Sequence, residues 1–174
     1  LDSLHQTTGT TLITYDRAGL GKSGIDTTSI DFRQEVIDLQ MALKQLGYQE
    51  ELFLVSHSFG AFYATQLSIE QENRIQGAVF IDPAVPCFFT EEWARSFVKT
   101  VPPEYWAIFQ QEHKGLYYVL QDFPGICAYM ADRPIPETIP VTLIAAEKMM
   151  PTIKPEEVEH WKACLNTFGS QPNH

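Results

Sequence analysis

One stretch of seven residues constrains the fold of this chain more than any other feature. Leu54 and Val55 belong to an apolar strand, the pattern small-x-Ser-x-Gly follows at 56–60, and a helical pattern continues to about residue 70. The turn between the strand and the helix must be tight, so residues 56 and 60 must be small. We therefore expect Ser58 to lie at a strand-to-helix junction, in a strained backbone conformation clear of the sheet.

This turn has the form of a nucleophile elbow in which Ser56 replaces the first glycine. The following helix directs its positive end at any negative charge that develops there, and the backbone N–H of Phe59 can donate to an oxyanion. A Ser-x-Gly tripeptide alone is common and often only caps a helix, but the preceding strand favours Ser58 as a nucleophile. His57 would point away from the neighbouring hydroxyl, so we do not expect it to act as the base.

Strands and helices alternate along the rest of the chain. Buried strands are predicted at 12–15, 52–55, 78–81 and 141–144, and helices at about 31–47, 59–70 and 155–168. Asp31 and Gln34 form a capping pair at the start of the first of these helices, and Gly47 stands where its C-terminal cap belongs. This alternation predicts a mostly parallel sheet with right-handed crossovers.

The segment 86–140 departs from this pattern and holds more than half of the aromatic residues of the chain. Amphipathic helical pieces are separated there by Pro102-Pro103, Pro124-Gly125 and Pro134-Ile135-Pro136. We interpret residues 1–85 and 141–174 as a core domain and 86–140 as a helical, aromatic-rich insertion. Ser58 is expected to face a pocket walled by this insertion.

Composition excludes several classes of function. A net charge of -10 repels nucleic acid and anionic lipid surfaces, and no apolar run approaches the roughly 18 residues of a membrane span. Cys87, Cys127 and Cys164 are odd in number and show neither a CxxC motif nor a Cys/His ligand spacing. We therefore expect a soluble protein with isolated reduced thiols, no bound metal and no cofactor.

The glycine-rich segment Gly19-Leu20-Gly21-Lys22-Ser23-Gly24 satisfies GxGxxG and ends like a phosphate-binding loop. Its context does not fit either nucleotide motif. A phosphate-binding loop needs glycine where Asp16 stands, and a dinucleotide fingerprint needs a helix that begins within the glycines. Nucleotide binding is therefore a minor alternative.

The residues from Tyr15 to Gly24 resemble the YDxRGxGxS-type segment that follows the fourth strand of α/β-hydrolases, and Val55 to Gly60 resemble the elbow after the fifth. The two motifs stand in the order and spacing of that family. The resemblance extends from Leu12 to about Leu165 and places 86–140 where the family has its cap domain. It implies strands 4 to 7 of the family sheet, with helices on both faces and a chain trimmed at both ends.

The resemblance also implies a catalytic triad. Its acid would be Asp82, which ends the sixth strand of the family, or alternatively Glu147 after the seventh. The family histidine follows an eighth strand, and no histidine here occupies that position. The histidines that lie elsewhere in the sequence are His5, His113, His160 and His174.

The implied chemistry is acyl transfer to water by a serine hydrolase of the carboxylesterase or lipase type, acting on a small, apolar ester or similar substrate. Serine at the elbow argues against dehalogenase and epoxide hydrolase chemistry, which needs a carboxylate there. The alternative is a non-catalytic relative that binds a small molecule or a protein partner. The family sheet order places another strand between 12–15 and 52–55, so these two segments are not expected to pair directly.

Overall fold

The structure is a computed structural model that describes residues 2–28, 30–147 and 154–172. Its strands are β1 (Leu52–His57), β2 (Ile75–Ile81) and β3 (Val141–Ile144). Its helices are α1 (Asp2–Thr8), α2 (Phe32–Gln45), α3 (Gly60–Glu70), α4 (Glu91–Thr100), α5 (Pro103–Glu112), α6 (Lys114–Met130) and α7 (Pro155–Gly169). Within these residues no helix is both long and apolar enough to cross a membrane.

The three strands form one parallel sheet in the order β1-β2-β3. His57 pairs with Ile81, and Ile81 pairs with Ile144, so the carboxyl ends of all three strands meet at one edge. Side chains of α3 and α7 pack on one face of this sheet, around the fully buried Phe80. The mostly parallel α/β architecture that the sequence predicts is confirmed.

The opposite face of β1 is exposed. Phe53 is 72% exposed and Val55 is 62% exposed, although both are large and apolar. The described residues of α3 and α7 pack on the other face, around Ala78 and Phe80. The side chains of β1 therefore alternate between partly buried and exposed positions.

Residues 12–15 do not form the strand that their apolar pattern predicts. Tyr15 and Arg17 line one wall of a groove of about 350 Å³, and residues 53–57 of β1 line the other. An extended segment becomes a strand only when a neighbour offers a row of backbone partners, and no strand among the described residues pairs with 12–15. The expectation that 12–15 would not pair directly with 52–55 is confirmed.

Helix α2 forms where its caps predict it. The Asp31 side chain accepts hydrogen bonds from the backbone N–H groups of Arg33 and Gln34, and Gly47 adopts a φ of 82° just beyond the last turn. The predicted capping pair forms only in part, since no bond from the Asp31 N–H to the Gln34 amide oxygen is described and the Gln34 amide nitrogen donates to Asp38 at 2.8 Å. The predicted helices at 59–70 and 155–168 also form, as α3 and α7.

Three helices, α4 to α6, fall within the 86–140 segment. The break predicted at Pro124 is wrong, because α6 continues through it. Its neighbours Phe123, Ile126 and Cys127 are buried in the core, and this packing offsets the roughly 3 kcal/mol that an internal proline costs a helix. The division into a core domain and a cap stays a prediction.

A disulfide joins Cys87, in the loop after β2, to Cys164 on α7. The prediction of isolated reduced thiols is therefore wrong for these two residues. Cys127 is a free, buried thiol, as predicted. The two bridged cysteines are 77 residues apart, and only the folded chain brings their Cα atoms to 5.6 Å.

Candidate active site

Ser58 lies between the end of β1 and the start of α3, as the sequence predicts. Its φ is 53°, in the left-handed region that costs a non-glycine residue about 1–2 kcal/mol. Its backbone N–H donates to the Ile81 carbonyl at 3.0 Å, and its carbonyl accepts from Ala61 and Ala84 at the same distance. These bonds to α3 and to the loop after β2 hold the strained turn in place.

Two small residues flank this turn. A Cβ atom on Gly60 would lie 3.6 Å from the Ser56 Cβ, which is an ordinary contact. Alanine would therefore fit at position 60, whereas a larger side chain would approach Ser56. Ser56 itself buries its hydroxyl without a hydrogen-bond partner among the described residues.

The Phe59 N–H, which the sequence predicts as an oxyanion donor, lies at the start of α3. Phe59 has helical backbone angles ahead of α3, where the first N–H groups of a helix have no partner within it. Further into the helix, the Ala61 N–H donates to the Ser58 carbonyl and the Phe62 N–H donates to the Phe59 carbonyl. The positive end of α3 is thus directed at the Ser58 turn.

Asp82 follows β2 directly, as Ser58 follows β1. Because His57 and Ile81 are paired, Ser58 and Asp82 come immediately after neighbouring residues at the same sheet edge. Asp82 also has a left-handed backbone, with a φ of 48°, and its carboxylate accepts from the Ala146 N–H at 3.4 Å.

Glu147 lies three residues beyond the end of β3 and is exposed. The order β1-β2-β3 separates the strand of Glu147 from the strand of Ser58 by two inter-strand spacings of roughly 4.8 Å each, against one for Asp82. The carboxylate of Asp82 nevertheless contacts the loop after β3. The choice between the two acids stays a prediction.

The described histidines make their contacts elsewhere. His5 lies beside the Thr10 carbonyl at 2.7 Å, His113 connects α5 to α6, and His160 lies against Phe88 and Cys164. His57 is exposed on β1, and His174 lies outside the described residues. None of the contacts described for these residues joins a histidine to Ser58 or Asp82.

An aromatic cluster adjoins the elbow. The Phe59 ring packs against Phe123 of α6 with the ring centroids 5.5 Å apart, and Phe123 in turn contacts Phe89, Trp93 and Phe97. These rings connect helices of the 86–140 segment to the residue that follows Ser58. The surroundings of the elbow on this side are therefore apolar.

Sequence reasoning missed a network that holds the glycine-rich loop to α3. Arg17 donates to the Tyr63 hydroxyl at 2.5 Å, and this hydroxyl donates to Glu35 at 3.1 Å. The guanidinium carbon of Arg17 also lies 4.6 Å from the centre of the Tyr63 ring. Arg17 within the motif was the only sequence signal, since its partners are far along the chain.

Burial raises the pKa of Glu35, although the Arg17 charge and the Tyr63 hydrogen bond act in the opposite direction. One carboxylate oxygen of Glu35 is buried without a hydrogen-bond partner among the described residues. Burial likewise raises the pKa of the Tyr63 hydroxyl. The Arg17 guanidinium lies 3.9 Å from this carboxylate oxygen of Glu35, so the network pairs the two charges without a direct hydrogen bond between them.

The side chain of Asp16 occupies the space inside the glycine-rich loop. Asp16 accepts from the Lys22 N–H at 2.9 Å, and a Cβ atom at Gly21 would lie 2.3 Å from the Asp16 carboxyl carbon. Gly21 also has a φ of 53°, so both space and backbone conformation favour glycine. An acidic side chain occupies the place where a nucleotide motif would hold phosphate, and α2 begins only at Phe32.

One apolar cavity of about 180 Å³ lies between α3, the loop after β2, the end of α6 and α7. The 86–140 segment contributes Met130 and Arg133 to its wall. Ser58 is not among its lining residues, so this is not the pocket expected to face the serine hydroxyl. Ser58 is exposed at the surface.

Comparison with known proteins places these features in a family. The family model described as serine aminopeptidase, S33, matches residues 4–150. The "Uncharacterized protein YqjL" of Bacillus subtilis (strain 168) is 36% identical over 74 residues, which are 42% of this chain and 29% of that protein. The chain therefore matches less than a third of the length of this relative.

Two solved structures align with most of this chain. MGS-M2, an α/β-hydrolase enzyme from a Medee basin deep-sea metagenome library, has a TM-score of 0.53 at 17% identity, over 93% of this chain and 71% of that chain. A thermophilic esterase from Thermogutta terrifontis has a TM-score of 0.48 at 18% identity, over 86% and 65%. The family match over most of the sequence, with the α/β-hydrolase fold of MGS-M2, shows that this chain belongs to the serine aminopeptidase S33 family of α/β-hydrolases.

Proposed function

We propose that this chain carries the nucleophile of a serine hydrolase that cleaves an ester or similar acyl substrate. The observation that supports this most is the backbone of Ser58, held in the left-handed region at the head of α3. Strain of this kind persists where surrounding structure enforces it, and it is concentrated at functional sites. The family match supports the same assignment.

In the proposed reaction the Ser58 oxygen attacks the acyl carbon while a histidine removes its proton. The carbonyl electrons move to the oxygen, which the Phe59 N–H and the positive end of α3 stabilise. Collapse of this intermediate expels the leaving group, which takes the proton from the histidine. Water then hydrolyses the acyl-enzyme by the same steps.

The histidine of this mechanism is proposed to come from residues outside those described, because the described histidines contact other groups. Asp82 would orient it, with Glu147 as the alternative acid. The position of Asp82 beside Ser58 at the sheet edge supports the first choice. As this 174-residue chain alone, the protein is expected to be inactive or a weak esterase.

An apolar, uncharged substrate fits the surroundings of Ser58. The ring cluster around Phe123 provides apolar surface beside the elbow, and the net charge of -10 disfavours anionic substrates. An ester with apolar acyl or alkyl groups satisfies both conditions.

Ester turnover by the full-length gene product tests this proposal. Ser58→Ala should lower kcat by up to about 10⁶-fold if a complete triad operates, whereas Ser56→Ala, at the buried serine of the same turn, should change it little. Asp82→Asn should cost on the order of 10⁴-fold and Glu147→Gln little, with the reverse result if Glu147 is the acid. Equal turnover by wild type and Ser58→Ala would contradict the proposal.

A second candidate is a non-catalytic relative that binds a small molecule or a protein. The exposed Ser58 without a described histidine partner favours it. In that case the full-length protein should show no ester turnover above background, and Ser58→Ala should leave binding intact.

A further inference from the structure

Three potential metal ligands meet at the junction of α7 and the loop after β2. The Sγ atoms of Cys87 and Cys164 and a ring nitrogen of His160 all lie within 4.8 Å of one another. A disulfide requires only the two sulfur atoms, so the imidazole is an additional feature of this cluster.

The local structure explains how the cluster forms. His160 and Cys164 are four residues apart on α7, so their side chains project from the same helix face. The distance from the Cys164 Sγ to the His160 Nε2 is 3.8 Å. Cys87 approaches from the loop after β2, with its Cα 5.6 Å from that of Cys164.

We propose that reduction of the Cys87–Cys164 disulfide converts this cluster into a Zn²⁺ site with two thiolates and the His160 imidazole as ligands. In the reduction, a dithiol reductant transfers two electrons and two protons, which break the S–S bond and give two thiols, while the reductant becomes a disulfide. Zn²⁺ then displaces both thiol protons and accepts electron pairs from the two thiolates and the neutral imidazole.

The geometry suits a tetrahedral ion. Zn–S bonds of about 2.3 Å and Zn–N bonds of about 2.0–2.1 Å require the sulfur and nitrogen ligands to lie about 3.6 Å apart. The Cys164 Sγ and His160 Nε2 are 3.8 Å apart before any adjustment. Rotation about the Cα–Cβ bonds can separate the two sulfur atoms to the required distance of about 3.8 Å without moving the backbone.

The cluster is partly exposed. Cys164 is 1% exposed, whereas Cys87 and His160 are exposed. An ion can therefore enter past these two residues and reach the buried thiolate. Three protein ligands leave the fourth position of the ion to water.

The disulfide and the zinc complex exclude each other, because both use the same two sulfur atoms. In either state the loop after β2 remains linked to α7, since both cysteines stay bound. The prediction that no Cys/His ligand spacing is present overlooked His160-x-x-x-Cys164, whose third partner, Cys87, is supplied by the fold.

Titration of the purified chain with Zn²⁺ tests the proposal, with Co²⁺ as a spectroscopic substitute. The reduced chain should bind one ion and show the near-ultraviolet thiolate-to-cobalt absorption, and the oxidised chain should show neither. His160→Ala should weaken binding by at least the roughly 10- to 100-fold that loss of an outer-shell partner costs. Cys87→Ser should remove the site.

Two control variants match these changes. His113→Ala removes a histidine distant from the cluster along the chain, and Cys127→Ala removes a thiol whose burial raises its pKa to about 12. Both should bind Zn²⁺ as the wild type does. The proposal would be overturned if the reduced wild-type chain bound no Zn²⁺, a result that does not depend on whether any variant folds. It would also be overturned if the cobalt absorption survived Cys87→Ser.

Discussion

Two single residues carry backbone strain at the candidate site. Ser58 and Asp82 both adopt a positive φ immediately after paired residues of neighbouring strands. The hydrogen bond from Ser58 N–H to Ile81 and that from Asp82 N–H to Ile144 hold these conformations against the sheet edge. The two strained positions are thus products of the same parallel register.

The strain at Ser58 predicts an unusual stability order. Glycine adopts a left-handed backbone without the Cβ clash, so Ser58→Gly should be more stable than Ser58→Ala by about 1 kcal/mol. Denaturant unfolding of the two variants measures this difference. An alanine variant at least as stable as the glycine variant would show that the left-handed conformation is not enforced in solution.

Glu35 predicts a pH dependence of stability. Its pKa is raised in the folded chain, chiefly by burial and also by Asp38 and Asp31, so the folded state holds its proton more tightly than the unfolded state. The associated stabilisation is complete below the pKa of the unfolded state and is lost as pH rises through the folded pKa.

Glu35→Gln should therefore remove part of the decrease in unfolding free energy between weakly acidic and neutral pH. The measurement is denaturant unfolding at several pH values, with Glu112→Gln at the exposed end of α5 as the matched control. An unchanged pH profile in Glu35→Gln would contradict the assigned cause.

At the scale of elements, the ring cluster around Phe123 joins α6 to the elbow. Phe123→Ala removes its contacts with Phe59 and Trp93 and should lower the free energy of unfolding by about 3–5 kcal/mol. Tyr105→Ala, at a half-exposed ring of α5, should cost much less. Similar losses from the two variants, measured by denaturant unfolding, would show that the cluster is not a packing centre.

Local signals predicted the elements that local physics determines. Asp31 and Gly47 marked the ends of α2, and the small-x-Ser-x-Gly pattern at 56–60 marked the turn into α3. Caps and tight turns can be predicted in this way because they depend on nearby residues. The strand predicted at 12–15 does not form, because a strand needs a partner that the local sequence does not specify. The predicted break at Pro124 is wrong for the opposite reason, since packing against distant residues outweighs the local cost of a proline within α6.

At the scale of the whole molecule, the exposed face of β1, and its outer edge, which pairs with no described strand, predict self-association. Phe53 and Val55 place apolar surface beside unpaired backbone groups, and such edges pair with other chains. This chain alone should form concentration-dependent oligomers in analytical ultracentrifugation, and Phe53→Ser with Val55→Ser should reduce them.

Ile108→Ser provides the control, because Ile108 is an exposed apolar residue of α5 away from the sheet. It should leave the association unchanged. A wild-type chain that sediments as a monomer at every concentration would contradict this prediction.

The candidate site was predictable only in part. The position and strain of Ser58 follow from its own motif, and Asp82 follows from the strand before it. The Cys87–Cys164 pair and the Arg17–Tyr63–Glu35 network join residues far apart in sequence. Hydrophobic periodicity and motif spacing therefore do not predict these contacts.

Covalent labelling is the most direct test of Ser58 as the nucleophile. A fluorophosphonate probe should react with the full-length gene product, and mass spectrometry of its peptides should locate the adduct on Ser58. The label should disappear in Ser58→Ala and persist in Ser56→Ala. An adduct on another residue, or undiminished labelling of Ser58→Ala, would contradict the account.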